Sequence, residues 1–185
     1  MNISLRSSLQ DPISELSFGY FLSPFGLTLL AFEGKRNLYA LHFVNEASSS
    51  AEGILKQLFL GTVWTPNPIG AIQLGKELFS TPSESSVSLV LYGSTFQQQV
   101  WSALLQIPVG STITYSELAS FAGVPRAVRA VASAVARNQI ACFVPCHRIV
   151  PKHGKDVGSY RWGRALKEKL INSEKELCKN IDSTT

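Results

Sequence analysis

A cysteine, a histidine and an arginine follow one another in the segment Pro145-Cys146-His147-Arg148, and these residue types can form and stabilise a nucleophilic thiolate. A thiol attacks only as the thiolate, and cationic or hydrogen-bonding neighbours lower its pKa from the free value of about 8.5. The apolar run at 140–144 predicts a buried strand that ends at this segment. Because the segment itself is polar and turn-like, we expect Cys146 to be a nucleophile whose pKa is lowered by His147 and Arg148.

The other two cysteines, Cys142 and Cys178, fit structural thiols, because free cysteines are often buried. Three cysteines cannot all pair, which favours a reducing, cytoplasmic setting. Before residue 142, His42 is the only Cys or His in the chain. Cys142, Cys146 and His147 lack a fourth ligand and the usual spacing of a zinc site. We therefore expect neither a metal nor a cofactor.

Composition and charge limit the class of protein. Of the 185 residues, 45% are apolar and 16% are charged, which favours a folded core over disorder. No apolar run reaches the roughly 18 residues that a membrane span needs, so we expect no membrane association. Residues 1–90 hold five Lys and Arg against seven Asp and Glu, whereas 91–185 hold twelve against six. The basic half indicates a polyanionic partner, although on charge alone an ordinary solvated surface is the better explanation.

Periodicity and turn signals predict the elements that would support the site. In the first half they indicate a small α/β layer with three antiparallel strands, two helices and a further strand, at 17–22, 26–33, 37–44, 51–60, 69–79 and 87–92. This half shows no residues arranged for chemistry of its own.

The second half predicts a helix-turn-helix. The capping-box pattern of Thr95 and Gln98 opens a first helix. A short helix capped by Thr114 or Ser116 then leads into another helix at 125–136. The glycine-containing turn between these last two helices has the spacing of a helix-turn-helix.

The helix at 125–136 combines small and basic side chains. On its predicted exposed face, Ala127, Ala130 and Ala134 recur at helical spacing beside Arg126 and Arg129. Small side chains allow a helix backbone to approach another surface closely. From the residues alone, packing against the first domain and binding of a partner are equally compatible with this pattern.

The segment Pro145-Cys146-His147-Arg148-Ile149-Val150 resembles the active-site signature of the O6-alkylguanine-DNA alkyltransferases. Further motifs of the same family occur in the same order, namely Phe96-Gln97-Gln98-Gln99-Val100-Trp101, Ile113-Thr114-Tyr115-Ser116-Glu117-Leu118-Ala119, Arg129-Ala130-Val131, Arg137-Asn138, Gly158-Ser159-Tyr160-Arg161-Trp162-Gly163 and Lys167-Glu168. The resemblance is close over 88–175 and only general over the first half.

The resemblance implies the fold class α/β with two domains. It predicts a small N-terminal α/β domain, ribonuclease-H-like, at 1–92. A C-terminal helical, winged-helix-like domain with the helix-turn-helix is predicted at 93–176, and a tail at 177–185.

The resemblance also implies DNA repair by a single-turnover, suicide transfer of the alkyl group, such as methyl, from O6-alkylguanine, and also from O4-alkylthymine, to Cys146. His147 would deprotonate the thiol through a water, and Glu174 would orient the imidazole. Tyr115 would supply a proton to the leaving base. Asn138 would tie the preceding helix to the cysteine loop, and as a helix C-terminal residue it also fits a structural role.

The partner implied by the resemblance is double-stranded DNA that carries O6-alkylguanine, bound in its minor groove by a monomer. Tyr115 would push the target nucleotide out of the duplex, and Arg129 would fill the space that it leaves. Other expected DNA contacts come from the two helices, at Ser116, Arg126, Ala127 and Ala130. The implied location is the cytoplasm, in association with the nucleoid if the host is bacterial.

The substrate pocket implied by the resemblance includes Val150, Tyr160, Arg161 and Trp162. Ala141 stands where some relatives have a proline that packs an aromatic substituent. Together with the bulky Trp162, it predicts poor reaction with large O6 substituents.

Three alternatives are weighed against this prediction. A non-catalytic alkyltransferase-like protein binds damaged DNA but lacks the nucleophile, which is present here as Cys146. A cysteine hydrolase needs an oxyanion hole, and no glycine-rich loop precedes Cys146. A transcription regulator that used the helix-turn-helix alone would leave the Pro-Cys-His-Arg segment unexplained.

Overall fold

The protein divides into two compact units, Met1–Ser94 and Thr95–Thr185. A computed structural model describes residues 1–7, 12–44, 51–80, 85–152 and 156–182. The first unit is a mixed sheet with helices and the second is mainly helical, so the predicted fold class is confirmed. No helix within the described ranges is both long and apolar enough to cross a membrane.

The first unit is built on three antiparallel strands, as predicted. These are β2 (Glu15–Ser23), β3 (Gly26–Glu33) and β4 (Asn37–Phe43), and five of the eight residues of β3 and six of the seven of β4 are buried. With β1 (Asn2–Ser7), β5 (Val63–Pro66) and β6 (Ser88–Gly93) they form a six-stranded sheet in the order β1-β6-β4-β3-β2-β5. The two edge strands β1 and β5, which pair in parallel with β6 and β2, were not predicted from the sequence.

In the described ranges of the first unit the helices are α1 (Ala51–Leu58) and α2 (Pro68–Ser80), close to their predicted positions. Helix α2 lies directly on β2, where Gly75 faces the ring of Phe21. A Cβ at Gly75 would lie 2.2 Å from that ring, so only glycine permits this approach. This unit supplies a packed core and none of the predicted site residues.

The second unit arranges short elements around the Pro145–Arg148 segment. Its helices are α3 (Thr95–Leu104), α4 (Tyr115–Phe121), α5 (Val128–Ala136) and α6 (Arg164–Asp182), and its two strands are β7 (Ile113–Thr114) and β8 (Ile149–Val150). The strands pair in parallel, Ile113 with Ile149 and Thr114 with Val150. Helix α6 continues to Asp182, so residues 177–182 of the segment predicted as a tail at 177–185 are helical.

Helix α5 differs from the prediction in two respects, the residue at which it begins and the residues that its exposed face contains. It begins at Val128 rather than at Pro125, because the amide of Ala127 donates to the carbonyl of Val124 at 2.9 Å and closes a separate turn around the proline. Ala134 was expected on the exposed face, but it is buried. Its carbonyl accepts a hydrogen bond from the Trp101 indole at 2.9 Å, so this side of α5 packs against α3.

Candidate active site

The chain reverses direction immediately before Cys146, and no strand forms there. The apolar run at 140–144, predicted as a strand, is a turn in which Cys142 has a φ of 63°. The amide of Val144 donates to the carbonyl of Ile140 at 3.1 Å, and the amide of Cys146 donates to the carbonyl of Val144 at 2.8 Å. Local hydrogen bonds thus replace the ladder that a strand would have required.

Asn138 holds this turn from within. Its buried side-chain amide donates to the carbonyls of Ile140 at 3.2 Å and Val144 at 2.9 Å and lies 3.1 Å from the Cys146 sulfur. Its oxygen accepts the amide of Ile140 at 2.9 Å. Two N–H groups therefore serve three acceptors, which fixes the sulfur relative to the end of α5. The predicted link between helix and cysteine loop is present as geometry, and its catalytic role stays a prediction.

Cys146, His147 and Arg148 form a single turn of 3₁₀ helix, and all three side chains are buried. In an extended strand, neighbouring side chains would point to opposite faces. The turn removes that restriction, so the backbone permits the predicted cooperation of Cys146 with His147, which stays a prediction.

Glu174, on α6, binds both residues that follow the cysteine. His147 Nε2 lies 2.8 Å from Glu174 Oε1, and Arg148 donates to the two carboxylate oxygens at 2.8 to 3.2 Å. The amide of Gly110 also donates to Oε2 at 3.1 Å. Burial raises the pKa of Glu174, but the hydrogen bonds from His147 and Arg148 outweigh it and lower the pKa to about 2. Glu174 is thus ionised at neutral pH and positioned to orient the imidazole.

The tautomer of His147 follows from this contact. An ionised carboxylate only accepts hydrogen bonds, so Nε2 must carry the proton that faces Glu174. In the neutral ring, Nδ1 then keeps its lone pair. Nδ1 is buried and has no hydrogen-bond partner among the described residues. The ring can therefore take up a proton at Nδ1.

The environment of the Cys146 thiol differs from the expectation. Burial raises its pKa above the ordinary value, and the hydrogen bond from Asn138, the nearby Tyr160 and the charge of Lys167 oppose the rise only in part. The expectation that Arg148 lowers this pKa is wrong, because its guanidinium is bound to Glu174 and to the carbonyl of Ile107. At rest Cys146 is therefore a thiol, and forming its thiolate requires a base.

Tyr160 lies next to the sulfur, and burial raises the pKa of its phenol well above the ordinary value. Its hydroxyl falls short of hydrogen-bond geometry with the thiol, and within the described chain the oxygen is buried without a partner. The ring also makes an edge contact with Trp162, with centroids 5.1 Å apart.

Lys167 is a residue of this site that the sequence analysis missed. It is 1% exposed, and Nζ donates to the carbonyls of Ile149 at 2.6 Å and Ser159 at 3.3 Å. It therefore joins strand β8, which follows Cys146, to the loop that carries Tyr160. The only signal in the sequence was its place in the Lys167-Glu168 motif, since an exposed lysine on α6 would look the same.

A cavity of about 310 Å³ opens onto Cys146, and nine residues line it, namely Tyr115, Val135, Ala136, Asn138, Cys146, Ser159, Tyr160, Arg161 and Trp162. Most of the predicted pocket is thus brought together. Val150 is not part of the lining, because it pairs with Thr114 in β8. Ala141 is fully buried in the turn and does not line the cavity either.

Tyr115, at the start of α4, is one of the residues that line this cavity. The hydroxyl of Thr114 accepts the amide of Glu117, and the Glu117 carboxylate accepts the amide of Thr114 at 2.7 Å, which is a complete capping box. Burial raises the pKa of Tyr115, and negative charge at Cys146 raises it further. The phenol therefore keeps its proton at neutral pH.

The predicted DNA-contact residues lie on α4 and α5 and the turn between them, and most of them are exposed. Arg126, Arg129 and Ala130 are exposed, as is Ser116, and Ala127 is half-buried. For Arg129 no hydrogen bond or ion pair is formed within the described chain. Among the described residues, no cluster of three or more His, Cys, Asp or Glu side chains could hold a metal ion.

Comparison with known proteins bears on both units. The family model for the 6-O-methylguanine DNA methyltransferase, DNA binding domain, matches residues 95–176. The chain is 36% identical over 151 residues to the bifunctional transcriptional activator/DNA repair enzyme Ada of Escherichia coli, which is 80% of this chain and 42% of Ada. It is 45% identical over 118 residues to the methylated-DNA–protein-cysteine methyltransferase of Mycobacterium bovis, which is 62% of this chain and 71% of that protein.

Solved structures agree with these matches. The crystal structure of Mycobacterium tuberculosis O6-methylguanine methyltransferase gives a TM-score of 0.68 at 36% identity, over 87% of this chain and 93% of that one. The structure of Mycobacterium tuberculosis OGT in complex with DNA gives a TM-score of 0.67 at 36% identity, and the match covers 86% of this chain and 93% of that one. The chain thus spans less than half of Ada but nearly all of the mycobacterial protein.

Proposed function

The chain belongs to the O6-alkylguanine-DNA alkyltransferase family, and from this membership we propose that it repairs DNA by transferring the alkyl group of O6-alkylguanine to Cys146. The observation that carries the proposal is the buried Cys146 thiol, held by Asn138 at the wall of a cavity that Tyr115 shares. O4-alkylthymine is a second substrate of the same kind, since its alkyl group is also bound to a ring oxygen.

The first step is formation of the thiolate. Burial raises the pKa of Cys146, so the thiol needs a base. His147 accepts the proton at Nδ1 through a bridging water, and Glu174, 2.8 Å from Nε2, stabilises the imidazolium that results. Asn138 stabilises the thiolate through its hydrogen bond to the sulfur.

The second step is an S_N2 displacement. The thiolate attacks the alkyl carbon, the S–C bond forms as the C–O6 bond breaks, and the guanine takes the electron pair. The developing oxyanion needs a proton or a hydrogen bond. Tyr115 supplies it, which the raised pKa of its phenol supports, because the group is protonated at neutral pH. The product is a thioether, so each molecule acts once.

The duplex is engaged by the α4–α5 pair in the minor groove. Ala127 and Ala130 let α5 approach closely, and Arg126 and Ser116 contact the backbone. A minor groove about 6 Å wide accepts a helix only where its side chains are small. Arg129 occupies the gap left by the extruded nucleotide, and its exposed, unengaged guanidinium supports this role.

We further propose that the protein acts as a monomer in a reducing compartment such as the cytoplasm, with association to the nucleoid if the host is bacterial. A thiol nucleophile must remain reduced to react. Both statements rest on the proposed chemistry, which needs one nucleophile, no cofactor and no partner protein.

Mass spectrometry of the protein after incubation with a duplex that contains one O6-methylguanine tests the proposal. We expect one added methyl group on the peptide that contains Cys146, and an unmodified protein with an unmethylated duplex. Tight binding without any mass gain would instead indicate a non-catalytic damage-binding protein. Methylation of Cys142 or Cys178 alone would contradict the assigned nucleophile.

A further inference from the structure

Arg161 is the one charged side chain among the described residues that line the Cys146 cavity. The other lining groups are aromatic, aliphatic, hydroxyl, amide or thiol groups. A cation beside the reacting atoms is therefore available to a substrate group, and neither the thiolate-forming step nor the leaving-group step uses it.

The guanidinium is fixed on one side only. Nη1 donates to the carbonyl of Asn138 at 3.2 Å and to Oε1 of Gln139 at 2.9 Å. Arginine has five N–H donors in a planar fork. Nε and Nη2 make no hydrogen bond within the described part of the chain. The two contacts hold the fork at the cavity wall and leave donors that a ligand can use.

The charge of Arg161 also acts on the reacting centre. Burial lowers the pKa of this guanidinium, and negative charge at Cys146 raises it, so the two groups lie within electrostatic range. The thiolate exists only until the alkyl group is transferred. A lasting partner for the free donors would be an anion carried by the substrate itself.

We propose that Arg161 makes this cavity selective for O6-alkyl groups that end in a carboxylate, such as carboxymethyl, over neutral groups of the same size. A carboxylate matches the planar fork, and such a pair is stronger than a hydrogen bond between neutral groups. The inference rests on the proposed function and extends its substrate class.

The reaction balances in the same way as methyl transfer. The Cys146 thiolate attacks the methylene carbon of the carboxymethyl group, the S–C bond forms, and the C–O6 bond breaks. The guanine leaves with the electron pair and takes a proton. The product on the protein is S-carboxymethylcysteine, whose carboxylate stays within reach of Arg161.

The competing role for Arg161 is a contact with a DNA phosphate beside the extruded nucleotide. Such a contact would strengthen reaction with every lesion in a duplex to the same extent. It would not distinguish a carboxylate from a neutral group, and it would disappear with free bases, which carry no phosphate.

The test compares two nearly isosteric substituents, O6-carboxymethyl and O6-carbamoylmethyl, with O6-methyl as the reference for activity. Alkylation of Cys146 is followed by mass spectrometry, with the lesions in one duplex sequence and as free bases. The carboxymethyl-to-carbamoylmethyl rate ratio of the protein is divided by the same ratio for a simple thiol. This quotient removes intrinsic reactivity, and we expect it to be about tenfold in favour of the carboxylate.

Variants assign the selectivity to the side chain. In Arg161→Gln the quotient should fall to about one, in Arg161→Lys it should be intermediate, and in Arg137→Gln it should equal that of the wild type. Arg137 is an exposed arginine outside the cavity, so it controls for the change in charge. Because each quotient is taken within one protein, a general loss of rate does not affect it.

A wild-type quotient of one, on duplexes and free bases alike, would overturn the inference even if no variant folded. Duplex rates that fall equally for all three lesions in Arg161→Gln would assign the residue to a phosphate instead. Absence of methyl transfer in the wild type would contradict the proposed function itself, so the two failures are distinguishable.

Discussion

The turn that carries Cys146 and the helix pair that precedes it differ in where their polar side chains lie. In the turn, Asn138, His147 and Arg148 are buried, and each is hydrogen-bonded to a neighbour. In the helix pair, Arg126 and Arg129 are exposed. Buried and bonded groups fix geometry for chemistry, whereas exposed cations remain available to a polyanion. Substitutions of the buried, hydrogen-bonded groups should therefore affect every substrate, and those of the exposed arginines should affect only duplex DNA.

Replacing the nucleophile gives the largest expected effect. Cys146→Ser should abolish alkyl transfer, because a hydroxyl is a far weaker nucleophile, and it should leave binding to alkylated duplex largely intact because the side chains are nearly isosteric. Mass spectrometry and a binding assay on the same preparation measure the two properties.

Cys142→Ser is the matched control for this experiment. Cys142 lies four residues earlier in the same turn, and burial raises the pKa of its thiol strongly. It should retain transfer. An inactive Cys142→Ser together with an active Cys146→Ser would reverse the assignment.

The second largest effect on the transfer rate is expected from substitution of Glu174, the carboxylate that is hydrogen-bonded to His147. Glu174→Gln should slow transfer near neutral pH by about 100-fold, because the imidazolium loses its counter-charge. The pKa of Cys146 should rise, so part of the rate should return at higher pH. A pH profile of the transfer rate and a thiol titration measure both changes.

Glu176→Gln controls for the loss of one charge on α6, since Glu176 is exposed two residues away. It should behave as the wild type. If Glu174→Gln left the thiol titration unchanged, the orienting role would pass to another group.

The sequence predicted Glu174 but not what surrounds the thiol. Glu174 lies seven residues after Lys167, so both fall on one face of α6, and the structure brings the carboxylate to His147. The buried environment of Cys146 was missed because the run at 140–144 has the pattern of a strand. Whether its carbonyls pair in a ladder or bind Asn138 depends on tertiary contacts, which periodicity does not contain.

The fold was predictable where residues typical of turns lie directly between the apolar runs of neighbouring strands. The glycine turns at Gly26 and Gly34 marked the strands β2, β3 and β4, and both glycines adopt positive φ. The edge strands were missed because β5 has four residues and β1 pairs only with a strand more than 80 residues away. The start of α5 was misplaced because Pro125 is equally suited to a helix start and to the turn that it occupies.

The exposed helix pair should show the opposite dependence on substrate. Arg129→Ala should slow repair of a duplex by about tenfold or more, because nothing then replaces the extruded base in the stack. Reaction with free O6-methylguanine leaves no gap and should change little. Rates on both substrates are compared with those of Arg137→Ala, an exposed arginine at the end of α5. Equal losses of rate on both substrates would show that Arg129 acts on the chemistry or on folding, and not on the duplex.

Acid should lower the free energy of unfolding through the ion pairs of Glu174, which hold the turn around Cys146. The pKa of Glu174 is about 2, below its ordinary 4.5, so its ion pairs stabilise the folded state above about pH 4.5, and this contribution is lost as the pH falls towards 2. We expect this contribution to the free energy of unfolding to be about 1 to 2 kcal/mol, because Glu174 is partly exposed to solvent. Denaturant unfolding at pH 7 and pH 3 measures it. Glu174→Gln should lack this pH dependence, and Glu176→Gln should keep it.

The smallest expected effect concerns the aromatic part of the cavity wall, which is formed by Tyr160 and Trp162. With Ala141 buried in the turn, the predicted limit on substituent size rests on Trp162 alone, which lines the cavity at 9% exposure. We expect its indole to occupy space that a benzyl group would need. One pocket contact of this kind discriminates by about tenfold or somewhat more.

We therefore expect efficient methyl transfer and poor reaction with O6-benzylguanine, and Trp162→Ala should raise the benzyl rate relative to the methyl rate by about tenfold. Trp162→Phe, which removes less volume and keeps an aromatic contact with Tyr160, should give an intermediate ratio. Competition between the two free bases measures the ratio, and thermal unfolding of each variant measures stability. A wild type that already reacts readily with the benzyl compound would contradict the prediction. A Trp162→Ala protein that lost stability with no change in the ratio would make the indole a packing residue of the second unit rather than a limit on substrate size.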